Sequence, residues 1–481
     1  MSTETKITQW VGEAVDRHAG EFTRLSDEIW NLAETRFAEH GSMQAQIEVL
    51  ERHGFRITRE LGGLPTAFLA EAGSPGPVVA FLGEYDALSG MSQAAGAYCE
   101  QPLAAGGAGH GCGHHALGVG AMLAALVAYE HLASHGLPGT VRYYGCPAEE
   151  GGAGKTYLVR AGAFQGCDVA LTWHPGPFNG IFKYRSLAVI QAYFRFSGRA
   201  AHAAASPHLG RSALDAVELM NVGVNFLREH MPVEARIHYA ITDTGGSAPN
   251  VVQKDADVLY VVRSPDIVQA APLFERVKEV ARGAALMTET ELSIEIDRAC
   301  SNVIRNSVIE ESMIEQLKQL GPPPFDAQDQ ADAASFGATF DNGEITECIE
   351  AFRGPRQARG LDVSILPLRD EPGTLTGSSD VGDVSWVVPT TQYLGACYAV
   401  GTNFHTWQLV AQGKLPAAHK GLLHAAKVMA ATAIDLSADP ARLACARAEL
   451  QERTAGQAYV CPIPPEVRAP PLRRPGVPAR T

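Results

Sequence analysis

The sequence predicts an α/β protein in which a mostly parallel sheet is interrupted by an inserted ferredoxin-like module. Over residues 1–186, apolar runs of strand length alternate with helical segments, which is typical of a parallel sheet covered by helices on both faces. Over residues 187–300, the order of elements becomes β-α-β-β-α-β, the order of a ferredoxin-like module. The chain has 481 residues, which is too long for one ordinary core and favours two domains.

The first part of the chain alternates between the two kinds of element. The predicted elements are a helix at Ile7–Thr35, a strand at Pro77–Gly83, a helix at Leu117–His135, a strand at Thr140–Cys146, a helix at Lys155–Phe164 and a strand at Asp168–Trp173.

The inserted module and the remainder of the chain follow. The module is predicted to contain strands at Ser186–Ser197, Ala235–Thr242, Ala256–Arg263 and Glu291–Arg298, and helices at Pro207–Met231 and Ile267–Met287. A strand at Gln392–Val400 and a helix at Ala417–Ser437 then resume the α/β pattern. The polar stretch Pro322–Arg359 is expected to be an irregular insertion or a long loop.

These elements predict a division into four parts. We expect a first part of the main domain at residues 1–186, an inserted domain at 187–300 and a second part of the main domain at 301–461. Residues 462–481 are rich in proline and basic residues, so they are expected to form a tail without helix or sheet.

The composition excludes several classes of partner. With a formal net charge of −14 and a pI near 5.6, the chain is a poor general binder of nucleic acids or anionic membranes. We find neither an apolar run of about 18 residues, as a spanning helix needs, nor a secretory signal. Nine scattered cysteines without framework spacing are typical of reduced thiols, so we expect a cytoplasmic protein.

Residues of metal-ligand type follow several of the predicted strands. Cys112 and His114 lie two residues apart in a glycine-rich turn, where the chain can bend enough for both to face one ion. Glu149 and Glu150 directly follow another strand. Because adjacent carboxylates repel, we expect a cation there, or separate roles as metal ligand and general base. His174 stands at the end of a third strand.

Two further strand ends complete this set. His405 follows the strand Gln392–Val400, and Asp86 follows Pro77–Gly83, where it can orient a ligating histidine. Each feature alone has a plainer explanation as a buried cysteine, solvated surface acids or core histidines. Together, five strand ends that offer such side chains predict a shared metal site. Thiolate, imidazole and carboxylate ligands suit zinc, manganese or cobalt, and their number exceeds one tetrahedral shell, which favours two ions.

Motifs along nearly the whole chain resemble those of a known family. They are Leu82–Leu88, Gly109–His114, Tyr144–Gly152, Leu171–Pro175, Ala201–Ala216, Ser247–Gln253, Asp380–Trp386 and His405–Leu409. By these motifs the chain resembles the dinuclear metallopeptidase superfamily of carboxypeptidase G, aminoacylase and succinyl-diaminopimelate desuccinylase. Within it, the chain is most similar to the amidohydrolase branch that holds the auxin-conjugate hydrolases and the aminobenzoyl-glutamate utilization proteins.

The resemblance implies a metal-dependent hydrolase with assigned roles. It implies two divalent transition-metal ions, manganese or zinc with cobalt as a further option. It makes Glu149 the general base and gives Asp86 the role of orienting the metal ligands. The implied ligands are Cys112, His114, Glu150, His174 and His405.

The resemblance also implies that the inserted domain is a lid and dimerisation domain. His202 and Asn250 of this domain are expected to reach the substrate, and in dimeric members the histidine comes from the partner subunit. The expected partner is a second copy of the chain or a related subunit. His115 stands where many members of the branch have aspartate, and we assign it no role, whereas His110 and His419 are expected to be structural.

The implied activity is cleavage of the amide bond of an N-acyl amino acid, with p-aminobenzoyl-glutamate as the expected substrate. An anionic product such as glutamate needs a basic or amide clamp, for which Asn250, Arg211 and Arg263 are candidates. One alternative is hydrolysis of indole-3-acetyl amino-acid conjugates or of dipeptides. Another is a non-catalytic regulatory subunit, against which the intact pair Glu149 and Glu150 argues.

Overall fold

The computed structural model describes residues 3–468, so the predicted tail lies outside the described residues from residue 469 onward. The strands are β1 (Arg56–Arg59), β2 (Phe68–Ser74), β3 (Val78–Glu84), β4 (Gly139–Cys146), β5 (Val169–Gly176), β6 (Gly180–Ile181), β7 (Arg185–Ser186), β8 (Ala188–Ser197), β9 (Arg236–Asp243), β10 (Asp255–Ser264), β11 (Glu291–Cys300), β12 (Thr376–Gly377) and β13 (Thr390–Ala396).

Helices connect most of these strands. They are α1 (Thr3–Leu32), α2 (His40–Arg52), α3 (His114–His135), α4 (Gly154–Arg160), α5 (Ala213–Leu227), α6 (Ile267–Thr288), α7 (Ser307–Leu320), α8 (Ala327–Gly337), α9 (Asn342–Phe352), α10 (Val381–Ser385), α11 (Trp407–Gln412), α12 (Pro416–Ala438) and α13 (Pro440–Arg453).

The main sheet has seven strands in the order β1-β2-β4-β3-β5-β13-β6. Its four central strands, β4, β3, β5 and β13, run parallel, while β1, β2 and β6 add antiparallel pairs at the two edges. This arrangement confirms the prediction of a mostly parallel α/β sheet. The carboxyl ends of the four parallel strands lie at one edge of the sheet, where ligand sites of open α/β folds form.

Two hydrophobic cores cover the two faces of the main sheet. Phe81 of β3 belongs to the core that includes α1, α3 and α12, whereas its neighbours Ala80 and Leu82 belong to the core on the other face. Helix α3 is long and apolar enough to cross a membrane, but 83% of its most apolar window is buried inside the protein. It is therefore the core helix of this face.

The inserted module forms a second sheet. Its four antiparallel strands have the order β11-β8-β10-β9, and α5 and α6 pack against them, so the chain order is the predicted β-α-β-β-α-β. Helix α5 begins at Ala213, later than the predicted Pro207, because the Ser212 side chain accepts a hydrogen bond from the amide of Asp215 and caps the helix there.

The prediction of an irregular stretch at Pro322–Arg359 is wrong. This stretch contains α8 and α9, and each helix begins with a reciprocal capping box. In α8 the pair is Asp326 and Asp329, and in α9 it is Asp341 and Glu344. These acidic caps satisfy the first backbone amides of both helices, so the polar composition that suggested a loop instead fixes the helix starts.

Candidate metal centre

The five predicted metal ligands come together at the carboxyl ends of the parallel strands. They form two groups, Cys112 with His114 and His174, and Cys112 with Glu150 and His405. Within each group, the candidate ligand atoms lie within 4.8 Å of one another. Cys112 belongs to both groups, so its sulfur stands where two neighbouring cations can share it.

Hydrogen bonds orient two of the histidines toward this point. Nδ1 of His114 donates to Oδ1 of Asp86 at 2.8 Å, and the other oxygen of Asp86 accepts from the amide of Glu150 at 2.9 Å. Nδ1 of His174 donates to the carbonyl of Pro175 at 2.9 Å, and its Nε2 lies 3.4 Å from Sγ of Cys112. Because Nδ1 carries the proton in both rings, Nε2 is left to bind a metal.

The backbone around these ligands is strained. His405, Ala148 and Ala153 have left-handed φ values of 61°, 60° and 56°, which non-glycine residues adopt at an energetic cost. The two alanines bracket the turn that carries the glutamate pair. At Gly113, with φ at 78°, an added Cβ would lie 2.5 Å from the hydroxyl of Tyr398, so glycine is required beside the candidate ligand Cys112.

The centre holds more acidic groups than cationic ones. Glu84 and Glu149 form a third group with His114, again within 4.8 Å. Burial, together with the charges of Glu84 and Glu150, raises the pKa of Glu149 well above its ordinary value. Burial and the charge of Glu150 likewise raise the pKa of the Cys112 thiol, so its thiolate requires positive charge close by. The donor set therefore fits divalent cations with soft and hard ligands combined.

The structure contains a buried ion cluster next to the candidate centre that was not predicted from the sequence. The ammonium group of Lys155, whose side chain is 0% exposed, lies 2.6 Å from Glu84 and 2.5 Å from Asp380. The second oxygen of Glu84 lies 3.2 Å from Nε2 of His114. Glu84 and Asp380 stand inside two of the family-like motifs, which was the available signal, whereas a lysine near a helix N-terminus gave none.

The predicted substrate residues lie outside the metal cluster. His202 and Asn250 are exposed in the inserted module, where Nδ1 of His202 accepts from the amides of Ala204 and Ala205 at 3.2 and 3.1 Å. Arg211 pairs with Glu289, and Arg263 donates to the hydroxyl of Ser378 at 2.6 Å. The structure therefore does not bring these four residues into contact with the candidate ligands.

The three histidines without an assigned role, His110, His115 and His419, contact groups outside the candidate metal centre. Nε2 of His110 lies 3.1 Å from the carbonyl of Ile29, and Nε2 of His115 lies 2.9 Å from the carbonyl of Gly413. His419 pairs with Asp27 at 2.9 Å. These contacts tie neighbouring helices and loops together and do not involve the candidate metal ligands.

Comparison with known proteins defines the class. A model of peptidase family M20/M25/M40 matches residues 80–291. One of the subunits of the p-aminobenzoyl-glutamate hydrolase of Escherichia coli K12 is 45% identical, and the match covers 97% of this chain and 100% of that protein. A Xaa-Arg dipeptidase of Mus musculus is 30% identical over 91% of each chain. Another subunit of the same E. coli hydrolase is 30% identical, over 45% of this chain and 51% of its own length.

Solved structures share the fold. An aminobenzoyl-glutamate utilization protein from Klebsiella pneumoniae superposes with a TM-score of 0.59 at 17% identity, over 88% of this chain and 97% of that one. A dinuclear metal-binding peptidase of the M20 family from Bacillus subtilis gives a TM-score of 0.54 at 18% identity, over 86% and 98%. The protein is thus a hydrolase that acts on amide bonds. It belongs to peptidase family M20/M25/M40.

Proposed function

We propose that this protein hydrolyses N-acyl amino acids with two divalent transition-metal ions. Cys112, His114 and His174 would hold one ion, and Cys112, Glu150 and His405 the other. The observation that carries this proposal is the pair of ligand groups that share one sulfur. Manganese or zinc fits this mixed ligand set, and cobalt fits it as well.

Glu149 is the residue that moves protons in this proposal. Bound ions would acidify a water molecule and polarise the scissile carbonyl. Glu149 accepts the proton of the attacking water and later delivers it to the departing amine. Burial and the charges of Glu84 and Glu150 raise the pKa of Glu149, and two bound cations would lower it again, so that the ionised carboxylate could accept the proton. Asp86 meanwhile holds His114 and the Glu150 backbone in place.

The substrate is proposed to be p-aminobenzoyl-glutamate, cleaved to p-aminobenzoate and glutamate. The relative that is 45% identical over its full length is named as a subunit of a p-aminobenzoyl-glutamate hydrolase. Asn250, Arg211 and Arg263 are proposed to clamp the glutamate carboxylates, and Arg263 would exchange its contact with Ser378 for the substrate. A dipeptide with a basic residue is the second candidate, because a Xaa-Arg dipeptidase is 30% identical. Indole-3-acetyl conjugates of amino acids are a third.

Residues 187–300 are proposed to act as a lid and to bind a partner subunit. In His202, the acceptor role of Nδ1 leaves the proton on Nε2, which can donate to the oxyanion of a substrate. The edge strand β9 and helix α5 expose a set of large apolar side chains that a partner would cover. They are Leu219, Val222, Phe226, Tyr239 and Ile241.

The partner is proposed to be a second copy of the chain or a protein related to it. Two relatives in E. coli are named as different subunits of one hydrolase. One is 45% identical over its full length, and the other is 30% identical over about half its length. We further propose a cytoplasmic location, since all nine cysteines are free thiols.

A substrate panel tests the proposed activity. Chelated enzyme, reloaded with manganese or zinc, is supplied with p-aminobenzoyl-glutamate, indole-3-acetyl-aspartate, an N-acyl dipeptide series and Xaa-Arg dipeptides. We expect the highest kcat/KM for p-aminobenzoyl-glutamate, and we expect Cys112→Ser to lose activity on every compound. Turnover of the reloaded Cys112→Ser protein at the wild-type rate would contradict the metal assignment. If the metal-loaded protein turned over none of these compounds, the result would favour a regulatory subunit.

Subunit mixing tests the proposed role of His202. His202→Ala and Glu149→Ala chains, each inactive alone, are combined under conditions in which labelled subunits exchange. A hybrid dimer holds one site with both residues intact, so part of the wild-type activity should return. Exchange without any recovery would show that His202 does not complete the site of its partner.

A further inference from the structure

A second cluster of metal-binding side chains lies at the far end of the helical layer. His18 and Glu21 stand three residues apart on α1, so they share one helix face. His53 directly follows α2, and Glu130 stands in the last turns of α3. His18, Glu21 and His53 thus lie close together, and Glu130 joins them through its contact with His18.

From this geometry we propose a separate transition-metal site, with zinc as its preferred ion, held by His18, Glu21, His53 and Glu130. Nε2 of His18 lies 2.8 Å from Oε1 of Glu130, and Nε2 of His53 lies 2.9 Å from Oε2 of Glu21. Candidate ligand atoms of His18, Glu21 and His53 all lie within 4.8 Å of one another.

These separations are close to those of a bound ion. Tetrahedral zinc with bonds of about 2.0–2.1 Å places its ligand atoms roughly 3.3 Å apart. The His18–Glu130 and His53–Glu21 pairs are already closer than that, so side-chain rotations that join the two pairs would place four ligand atoms around one ion. Two histidines and two carboxylates are a ligand set that zinc accepts.

Two arginines support the carboxylates from outside. Arg52 lies 2.8 Å from Oε1 of Glu21, and Arg17 lies 3.3 Å from Oε2 of Glu130. Each carboxylate therefore gives one oxygen to an arginine and the other to a histidine. When zinc binds, the oxygen that faces the histidine would turn to the ion, while the arginine would keep its own oxygen and fix the orientation of the ligand.

The site is distinct from the proposed catalytic centre. His114 begins α3, and Glu130 follows it by sixteen residues on the same helix, which corresponds to about 24 Å along the axis. The ion would join α1, α2 and α3, and so its binding energy would stabilise the contact of these helices. Loss of this ion is expected to leave the rate of amide hydrolysis unchanged.

Cobalt binding followed by absorption spectroscopy tests this proposal. Cobalt bound by a thiolate gives a sulfur charge-transfer band, whereas histidine and carboxylate ligands give ligand-field bands alone. In a Cys112→Ser, Glu150→Gln background, we expect about one bound cobalt per chain without a sulfur band. Adding His53→Gln or Glu130→Gln should remove that ion, whereas His135→Gln, a change on the same helix outside the cluster, should retain it.

Controls separate this site from the proposed catalytic function. In the wild-type background, His53→Gln should lower the bound zinc by one ion per chain and leave hydrolysis at the wild-type rate. Equal melting temperatures of the metal-free variants would show that the fold is intact. If neither His53→Gln nor Glu130→Gln lowers metal binding, the second site does not exist. Absence of the sulfur band from the wild-type protein would instead contradict the catalytic centre.

Discussion

Replacing Lys155 by methionine removes a cation that lies between two buried carboxylates. The side chain of Lys155 is 0% exposed, and those of Glu84 and Asp380 are 4% and 1% exposed. Removing one partner of a buried ion pair costs roughly 3–5 kcal/mol, because the remaining charge is left without compensation. Since one of the two acids can take up a proton, we expect a loss of about 4 kcal/mol rather than twice that value.

A matched surface change provides the control. Lys427 pairs with Asp16 at 2.8 Å, but the side chain of Asp16 is 68% exposed. Lys427→Met should therefore cost less than about 1 kcal/mol. A third variant combines Lys155→Met with Glu84→Gln and Asp380→Asn. It replaces the buried charges by neutral groups of similar size and should recover most of the lost stability.

Thermal unfolding of the metal-free proteins measures these effects. A loss of about 4 kcal/mol corresponds to a fall in Tm of about 4 °C for a chain of this size. Lys427→Met should melt close to the wild type. The triple variant should melt between Lys155→Met and the wild type. If Lys155→Met melted together with Lys427→Met, the ion cluster would not stabilise the fold, and the reasoning from buried charge would be refuted.

Three further predictions follow from the site and the core. Glu149→Ala should keep its metals but lose on the order of 10²–10⁴ in kcat, as measured by steady-state kinetics, and near-normal turnover would remove Glu149 as the base. Dialysis against a chelator should abolish activity, and added manganese, zinc or cobalt should restore it. Metal analysis that finds no transition metal in active protein would contradict this prediction. Burial and the charge of Lys427 lower the pKa of His424 from 6.5 to about 3. Because the unfolded chain then binds a proton first, the free energy of unfolding should fall between pH 6.5 and pH 3 by up to about 5 kcal/mol, and denaturant unfolding of His424→Gln should show a shallower fall.

Much of the candidate site could be predicted because it lies at strand ends. A parallel sheet brings the carboxyl ends of its strands to one edge, so residues as distant as Cys112 and His405 are expected to meet once the strands are recognised. The pattern of apolar runs located β3, β4 and β5 to within a few residues. The positions of the candidate ligands could thus be predicted from local spacing, because the sheet itself supplies the long-range contacts.

The parts that were missed depend on contacts the sequence does not display. The buried ion pairs of Lys155 could not be predicted, because its two acidic partners are 71 and 225 positions away in the chain and come together only in the fold. Helices α8 and α9 replace a predicted loop, since their acidic caps resemble solvated loop residues in the sequence. The substrate residues remain predictions, because His202 and Asn250 lie in the inserted module, outside the metal cluster.

Anomalous diffraction from crystals of the metal-loaded protein, recorded at the absorption edge of the bound metal, tests the central claim most directly. We predict two peaks at the carboxyl edge of the parallel strands, both in contact with Sγ of Cys112. One peak should also contact His114 and His174, and the other Glu150 and His405. A single peak, or two peaks that do not share Cys112, would contradict a dinuclear centre built on this cysteine.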